Sequence, residues 1–196
     1  MIDKNQKYLA LDLELNQPSG KIIQVGIAIG RADDRFENYF TKKWYIDPLE
    51  PIDQFIIDLT GITDSDISAN CVSHETVARE LGELIKEHKC FVNPVTWGGG
   101  DSVELLNEFS NKCVDFPHFG RRWIDTKTFY TLLMFAKGKK PSGGLASAMG
   151  YFKLHFKGTA HRADVDAANT LALFFKLIDR QRKLEHLAED AKNIWL

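Results

Sequence analysis

The run Tyr8-Leu9-Ala10-Leu11-Asp12-Leu13-Glu14-Leu15 sets two carboxylates two residues apart in an apolar stretch. In a strand, side chains alternate between faces, so Asp12 and Glu14 share one face and Leu11, Leu13 and Leu15 the other. Two acids on a buried face repel each other and lose hydration unless a cation sits between them. A hard divalent ion such as Mg²⁺ does this well, because it takes carboxylate oxygens together with substrate phosphates. Taken alone, an Asp-x-Glu pair also fits a solvated edge strand. Two later stretches add acids. Gly98-Gly99-Gly100 precedes Asp101 at a strand-to-helix junction. An N-cap role accounts for Asp101 but leaves the glycines unexplained. Gly158-Thr159-Ala160-His161-Arg162-Ala163 precedes Asp164 and Asp166, and His161 stands five residues before Asp166. Acids in a helix's first turn are favourable without any chemistry. A histidine and an acid facing one cleft are not explained that way.

The elements that would position these residues follow from pattern. Lys7 to Leu15 reads as a first strand, Lys21 to Gly30 as a second and Phe36 to Ile46 as a third, joined by turn residues. Short connections predict an antiparallel meander. Helices are predicted over Ile52–Leu59, a short turn through Ile67, and a longer helix opened by the N-cap Ser73 with apolar positions Val77, Leu81, Leu84 and Ile85. Cys90 to Trp97 and Arg122 to Asp125 read as strands. Helices follow over Asp101–Asn111, Thr126–Ala136, Leu145–Phe152 and Asp164–Leu177. The fold class is α/β: a mixed sheet, with the meander plus parallel strands, flanked by helices. Residues 1–178 form one domain. Residues 179–196 form a charged helical extension packed on it, with an apolar stripe at Leu184, Leu187, Ala188 and Ala191. A homodimer contact is the alternative use of that stripe.

Bulk composition bounds the partners. The chain has 196 residues, 44% of them hydrophobic, and a net charge of −2. That suits one domain with a real core and no overall basic character, so nucleic acid must be met by local patches and metals. Cys71, Cys90 and Cys113 lack disulfide or zinc spacing and predict a reducing compartment. No signal-peptide h-region and no membrane-spanning run is seen, so the expected location is cytoplasmic.

Set in order, the Asp-x-Glu strand, the central Asp101 and the late His161-Arg162-Ala163-x-x-Asp166-Ala167 resemble the DEDDh family of 3′–5′ exonucleases, which has an RNase H-like fold. Gly20 to Gly26, Leu59-Thr60-Gly61-Ile62-Thr63 and Ile124-Asp125-Thr126 extend the likeness across about residues 7–178. Many members carry an Asn and an aromatic before the central Asp. Thr96-Trp97-Gly98-Gly99-Gly100 is instead similar to the branch of histone-mRNA and small-RNA exonucleases.

The resemblance implies a two-metal 3′–5′ exonuclease acting on the 3′ ends of single-stranded RNA or DNA and releasing nucleoside 5′-monophosphates. Asp12, Glu14, Asp101 and Asp166 would hold two Mg²⁺ or Mn²⁺ ions, with His161 as general base. Thr60, Gly61 and Ile62 would shape the terminal-nucleotide pocket, with Asn16 and Gln17 beside it. Arg121, Arg122, Lys137, Lys139 and Lys140 are candidate phosphate contacts or a solvated charged loop. Phe55, Trp97 and Trp123 would stack on bases or belong to the core. Asp164 is expected to cap the last helix, leaving Asp166 for the metal. The alternatives are a non-catalytic nucleic-acid or protein-binding module on the same fold, and a polymerase-associated proofreading subunit.

Overall fold

The computed structural model describes residues 5–116, 119 and 122–194, the side chains of 190–194 excepted. Arg121 lies outside these residues. Among the described residues, five strands form one sheet in the order β3-β2-β1-β4-β5. They are β1 (Tyr8–Leu15), β2 (Ile22–Gly30), β3 (Phe40–Tyr45), β4 (Val95–Thr96) and β5 (Ile124–Asp125). β1 to β3 make the antiparallel meander, and β4 and β5 add in parallel. Among the described residues the α-helices are α1 (Gln54–Thr60), α2 (Asp64–Asn70), α3 (His74–His88), α4 (Gly100–Asn111), α5 (Thr126–Ala136), α6 (Leu145–Tyr151) and α7 (Ala163–Ile194).

The alternation in β1 divides the core. Leu9, Leu11 and Leu13 join Val25, Ile27 and Ile29 of β2 and pack on Val77 and Leu81 of α3 and on Leu105 and Phe109 of α4. Tyr8 and Ala10 point the other way with Ala28, against Ala167, Ala168, Leu171, Phe174 and Phe175 of α7. The residues on this second face are small where α7 crosses. Gly26 is the extreme case, since a Cβ there would stand 2.0 Å from the carbonyl carbon of Ala163 and 2.1 Å from the amide nitrogen of Asp164. Asp12 and Glu14 lie on this face too, directly under the start of α7.

Several boundaries differ from the sequence reading. The predicted third strand is broken: Phe36–Asn38 is a 3₁₀ turn, and only Phe40–Tyr45 pairs with β2. Most of Cys90–Trp97 is not strand, because Pro94 cannot donate to a ladder; Val95 pairs with both β1 and β5, and Thr96 with β5. Helix starts follow their caps. Ser73 accepts the amide of Thr76, and Thr63 forms a capping box with Asp66. Asp53 rather than Ile52 opens α1. The helix predicted to begin at Asp164 begins at Ala163 and continues unbroken to Ile194. Leu184 and Leu187 on its distal part are 43% and 65% exposed. Among the described residues no helix is long and apolar enough to cross a membrane.

Candidate active site

Four carboxylates from three elements meet on the α7 face of β1. Asp12 and Glu14 project from the strand. Their antiparallel partners are Gly26 and Gln24. The missing side chain at Gly26 lets the first turn of α7 settle on β2, and the carboxamide oxygen of Gln24 accepts the amide of Ala163 at 2.8 Å. These two contacts carry Asp166 over the strand. The amides of Val165 and Asp166 both donate to the carbonyl of Arg162, so Arg162 opens the helix. Asp164 is therefore not the cap, which corrects the sequence reading. One of its carboxylate oxygens stands 3.6 Å from the Lys43 ammonium instead.

Asp166 spends only part of its carboxylate locally. Its Oδ2 accepts the amide of His161 at 3.1 Å. Its Oδ1 is buried and has no hydrogen-bond partner. His161 sits on the loop before α7 with φ of 60°, which turns its exposed side chain back over the cleft. Donor atoms of Glu14, His161 and Asp166 all lie within 4.8 Å of one another.

Asp101 arrives from the opposite edge of β1. Gly99 precedes the first turn of α4, and Asp101 lies inside that turn, so it is not the N-cap either. The backbone amide of Leu13 lies near its carboxylate and favours the charged form. Gly98 adopts φ of 106° in the turn before the helix, a left-handed conformation suited to glycine. Its amide donates to Asp125 at 3.1 Å, and the same carboxylate caps α5 through Thr128. The glycine run thus serves a tight strand-to-helix turn that brings Asp101 against β1.

The electrostatics record the crowding. Burial, then the charges of Asp101, Glu14 and Asp166, hold the Asp12 carboxyl well above its ordinary range. Burial, then Asp166 and Asp101, push Glu14 up to about 8, and Arg162 only partly offsets them. Burial raises Asp101 to about 6 against the lowering effect of its backbone hydrogen bonds. Asp166 is raised by burial, opposed by the amide and imidazole of His161. Four acids driven toward their neutral forms, with one buried oxygen left over, suit hard divalent cations. Ionised, they would supply the oxygen donors such ions prefer.

The expected pocket residues divide. Gly61 ends α1 at the surface, and its carbonyl accepts from the Arg162 guanidinium at 3.3 Å. Thr60 and Ile62 are buried beneath it. The Thr60 hydroxyl donates to Ile56 and accepts from Ile62, and Ile62 packs with Ile23, Ile52 and Ile67. Asn16 does not line the cleft, which corrects its expected substrate contact. It is 1% exposed, donates to Glu50 and the Pro51 carbonyl, and accepts the amide of Asp53. Its amide is consumed in fastening the end of β1 to the segment that leads into α1. Phe55 is 65% exposed on α1. Trp97 and Trp123 instead contact Tyr130 and Phe119.

Two contributors were missed from sequence. Gln24 is the one polar residue in β2, fully buried there, and that mismatch was the available signal. Arg162 reaches both Gly61 and the Tyr45 hydroxyl. Nothing in its spacing announces that link, because its partners lie more than 100 positions away.

Comparisons with known proteins fit this geometry. A family model described as Exonuclease (RNase T) matches residues 9–174. The zebrafish (Danio rerio) protein ERI1 exoribonuclease 2 is 26% identical over 171 residues, which cover 77% of this chain and 29% of that protein. The chain thus spans less than a third of that relative. Among solved structures, the nuclease domain of 3′hExo, a DEDDh family member bound to rAMP, superposes with a TM-score of 0.72 at 16% identity. That match covers 89% of this chain and 92% of the other. A 3′-exonuclease structure describing 3′-end recognition of the histone mRNA stem-loop gives a TM-score of 0.75 at 18% identity, covering 89% and 82%. These likenesses identify the sheet and its helices as the RNase H-like exonuclease fold. Together with the family match over most of its length, they place this chain in the exonuclease family of nucleic-acid hydrolases.

Proposed function

We propose that residues 1–178 form a 3′–5′ exonuclease that shortens single-stranded RNA or DNA and releases nucleoside 5′-monophosphates. The observation that carries this reading is the convergence of Glu14, His161 and Asp166 beside Asp12 and Asp101, with one Asp166 oxygen buried and unpartnered. A binding module on the same fold would have no use for four mutually repelling acids, Glu14 buried and Asp12, Asp101 and Asp166 half-buried. The names of the similar proteins, an exoribonuclease and a histone mRNA 3′-exonuclease, favour RNA. Free cysteines at 71, 90 and 113 favour the cytoplasm.

In this reading Asp12, Glu14, Asp101 and Asp166 hold two Mg²⁺ or Mn²⁺ ions. When bound, such ions lower the pKa of the attacking water and neutralise charge on the leaving 3′ oxygen. The protein's own share is positional. The tight glycine turn before α4 brings Asp101 against β1, and the amide of His161 holds Asp166. The exposed His161 imidazole takes the proton of the attacking water. Gly61 and the exposed face of α1 receive the terminal nucleotide, which restricts attack to chain ends.

Time courses on 3′- and 5′-labelled single- and double-stranded RNA and DNA with Mn²⁺ test the proposal. A 3′-labelled strand should release labelled mononucleotide at once, and a 5′-labelled strand should shorten stepwise. EDTA should stop both. Internal cuts as first products, or hydrolysis that persists in EDTA, would overturn it.

A further inference from the structure

The chain carries a net charge of −2, yet its cations are not spread evenly. Lys137 at the end of α5, Lys153 after α6, and Lys176, Arg180 and Lys183 on α7 line one groove of about 350 Å³. Asp179 is the one acid in it and is paired with Lys183 at 2.8 Å. Neither Lys153 nor Lys176 is in an ion pair among the described residues. Aromatic rings stand among these charges. Lys137 and Lys139 lie 4.9 and 5.1 Å from the Tyr151 ring, and Arg180 lies over Phe152 at 5.9 Å. Tyr151 is 36% exposed and lines the groove.

This groove is continuous with a second, of about 460 Å³, through the shared Lys153, Lys176 and Asp179. The second groove extends along α7 to His155 and Lys157, on the loop that leads to His161. Lys157 is itself paired with Glu37. A cationic path therefore runs beside α7 from the loop bearing His161 toward Arg180. Along the helix axis, Arg180 stands 14 residues past Asp166, a distance of about 21 Å.

We propose that this path is a second nucleic-acid contact, which holds the phosphate backbone of the substrate strand upstream of its 3′ end. Cations supply sequence-independent affinity for phosphates, and the exposed Tyr151 ring suits an unpaired base, while Phe152 beside it is buried. A stacked strand rises about 3.4 Å per nucleotide, so about six nucleotides separate the cleft from Arg180. The proposal rests on the exonuclease reading for the identity of the strand. It makes substrate length matter: strands longer than that span gain affinity, and di- and trinucleotides do not.

The test uses the full chain and two triple variants, K137Q/K176Q/R180Q and K137E/K176E/R180E. Binding of a labelled 12-nucleotide single strand is measured in EDTA against salt, and hydrolysis of a 12-mer and a trinucleotide is measured with Mn²⁺. The Gln variant should bind the 12-mer at least about tenfold more weakly and lose about 2 from the slope of log K against log salt, as three lost phosphate contacts require. The Glu variant should lose more. KM for the 12-mer should rise at unchanged kcat, with trinucleotide turnover unchanged in both variants. Unchanged affinity and salt slope would overturn the proposal. So would an equal loss on the trinucleotide, or 12-mer binding that is preserved while binding to phosphatidylserine vesicles is lost. If no substrate is hydrolysed by the wild-type chain, the exonuclease reading fails, and the binding arm in EDTA still decides whether the path holds nucleic acid.

Discussion

Gly26 and Ala163 are in backbone-to-backbone contact: the space that a Cβ of residue 26 would fill is taken by the carbonyl carbon of residue 163. Asp12 pairs with Gly26 across the sheet, so this contact sets how closely the helix carrying Asp166 approaches the strand carrying Asp12. Gly26→Ala should therefore push out the first turn of α7. The expected result is a loss of about 1–3 kcal/mol in stability, the usual cost of overpacking, together with a large fall in kcat. Chemical denaturation and steady-state kinetics check it. Unchanged values of both would show that the turn can move without consequence.

Asp166 and Asp164 should separate cleanly. Asp166→Asn keeps an oxygen for the His161 amide and removes a charge from a crowded site, so turnover should vanish while the melting temperature in EDTA holds or rises. Asp164→Ala removes only a partly exposed pairing with Lys43 and should cost less than about 0.5 kcal/mol, with most activity kept. Thr63→Ala, which removes a true cap, should cost about 0.5–2 kcal/mol. A cap-sized loss at Asp164 would contradict the observed helix start.

For His161, the informative variant is His161→Asn, because asparagine tolerates the left-handed backbone found there. Loss of the general base should lower kcat by about 10²–10⁴-fold and flatten the acidic limb of the pH–rate profile. A rate and profile like wild type would leave His161 only its backbone role toward Asp166.

The raised carboxyls also fix how metal-free stability varies with pH. Glu14 titrates near 8 in the folded chain against an ordinary 4.5, so the folded state holds the proton more tightly than the unfolded state does. Stability contributed this way is fully present below about pH 4.5 and is lost as pH rises toward 8. Asp12, Asp101 and Asp166 are shifted in the same direction. In EDTA the melting temperature should therefore fall across this window. Added Mg²⁺ or Mn²⁺ should remove the fall, because ions bind the deprotonated acids of the folded site only. A melting temperature that rises with pH in EDTA would contradict the burial of these groups.

How far sequence reached can be seen residue by residue. The two faces of β1 followed from alternation alone, because period-2 geometry leaves no freedom about which side chains share a face. Ser73 as a cap was legible because a cap acts on amides within three residues. The convergence of Asp12, Glu14, Asp101 and Asp166 was foreshadowed by their order along the chain. The start of α7 was not, since a backbone carbonyl at Arg162 opens it and the carboxylate at Asp164 is turned toward Lys43. Asn16 misled for a related reason. Its position next to the acids suggested the cleft, but its partners at 50, 51 and 53 arrive through the tertiary fold. The short β4 was overdrawn because Pro94 limits pairing in a stretch whose apolar pattern alone reads as strand.

The guanidinium of Arg162 joins the carbonyl of Gly61 to the residue beside His161. In the proposed reaction, the wall that touches the last nucleotide and the group that takes the proton therefore hang from one fastening. A 3′ end of the wrong shape that displaces α1 would drag the proton acceptor with it. Discrimination between termini would then register as slower turnover of strands that still bind, giving the enzyme a built-in pause at modified ends.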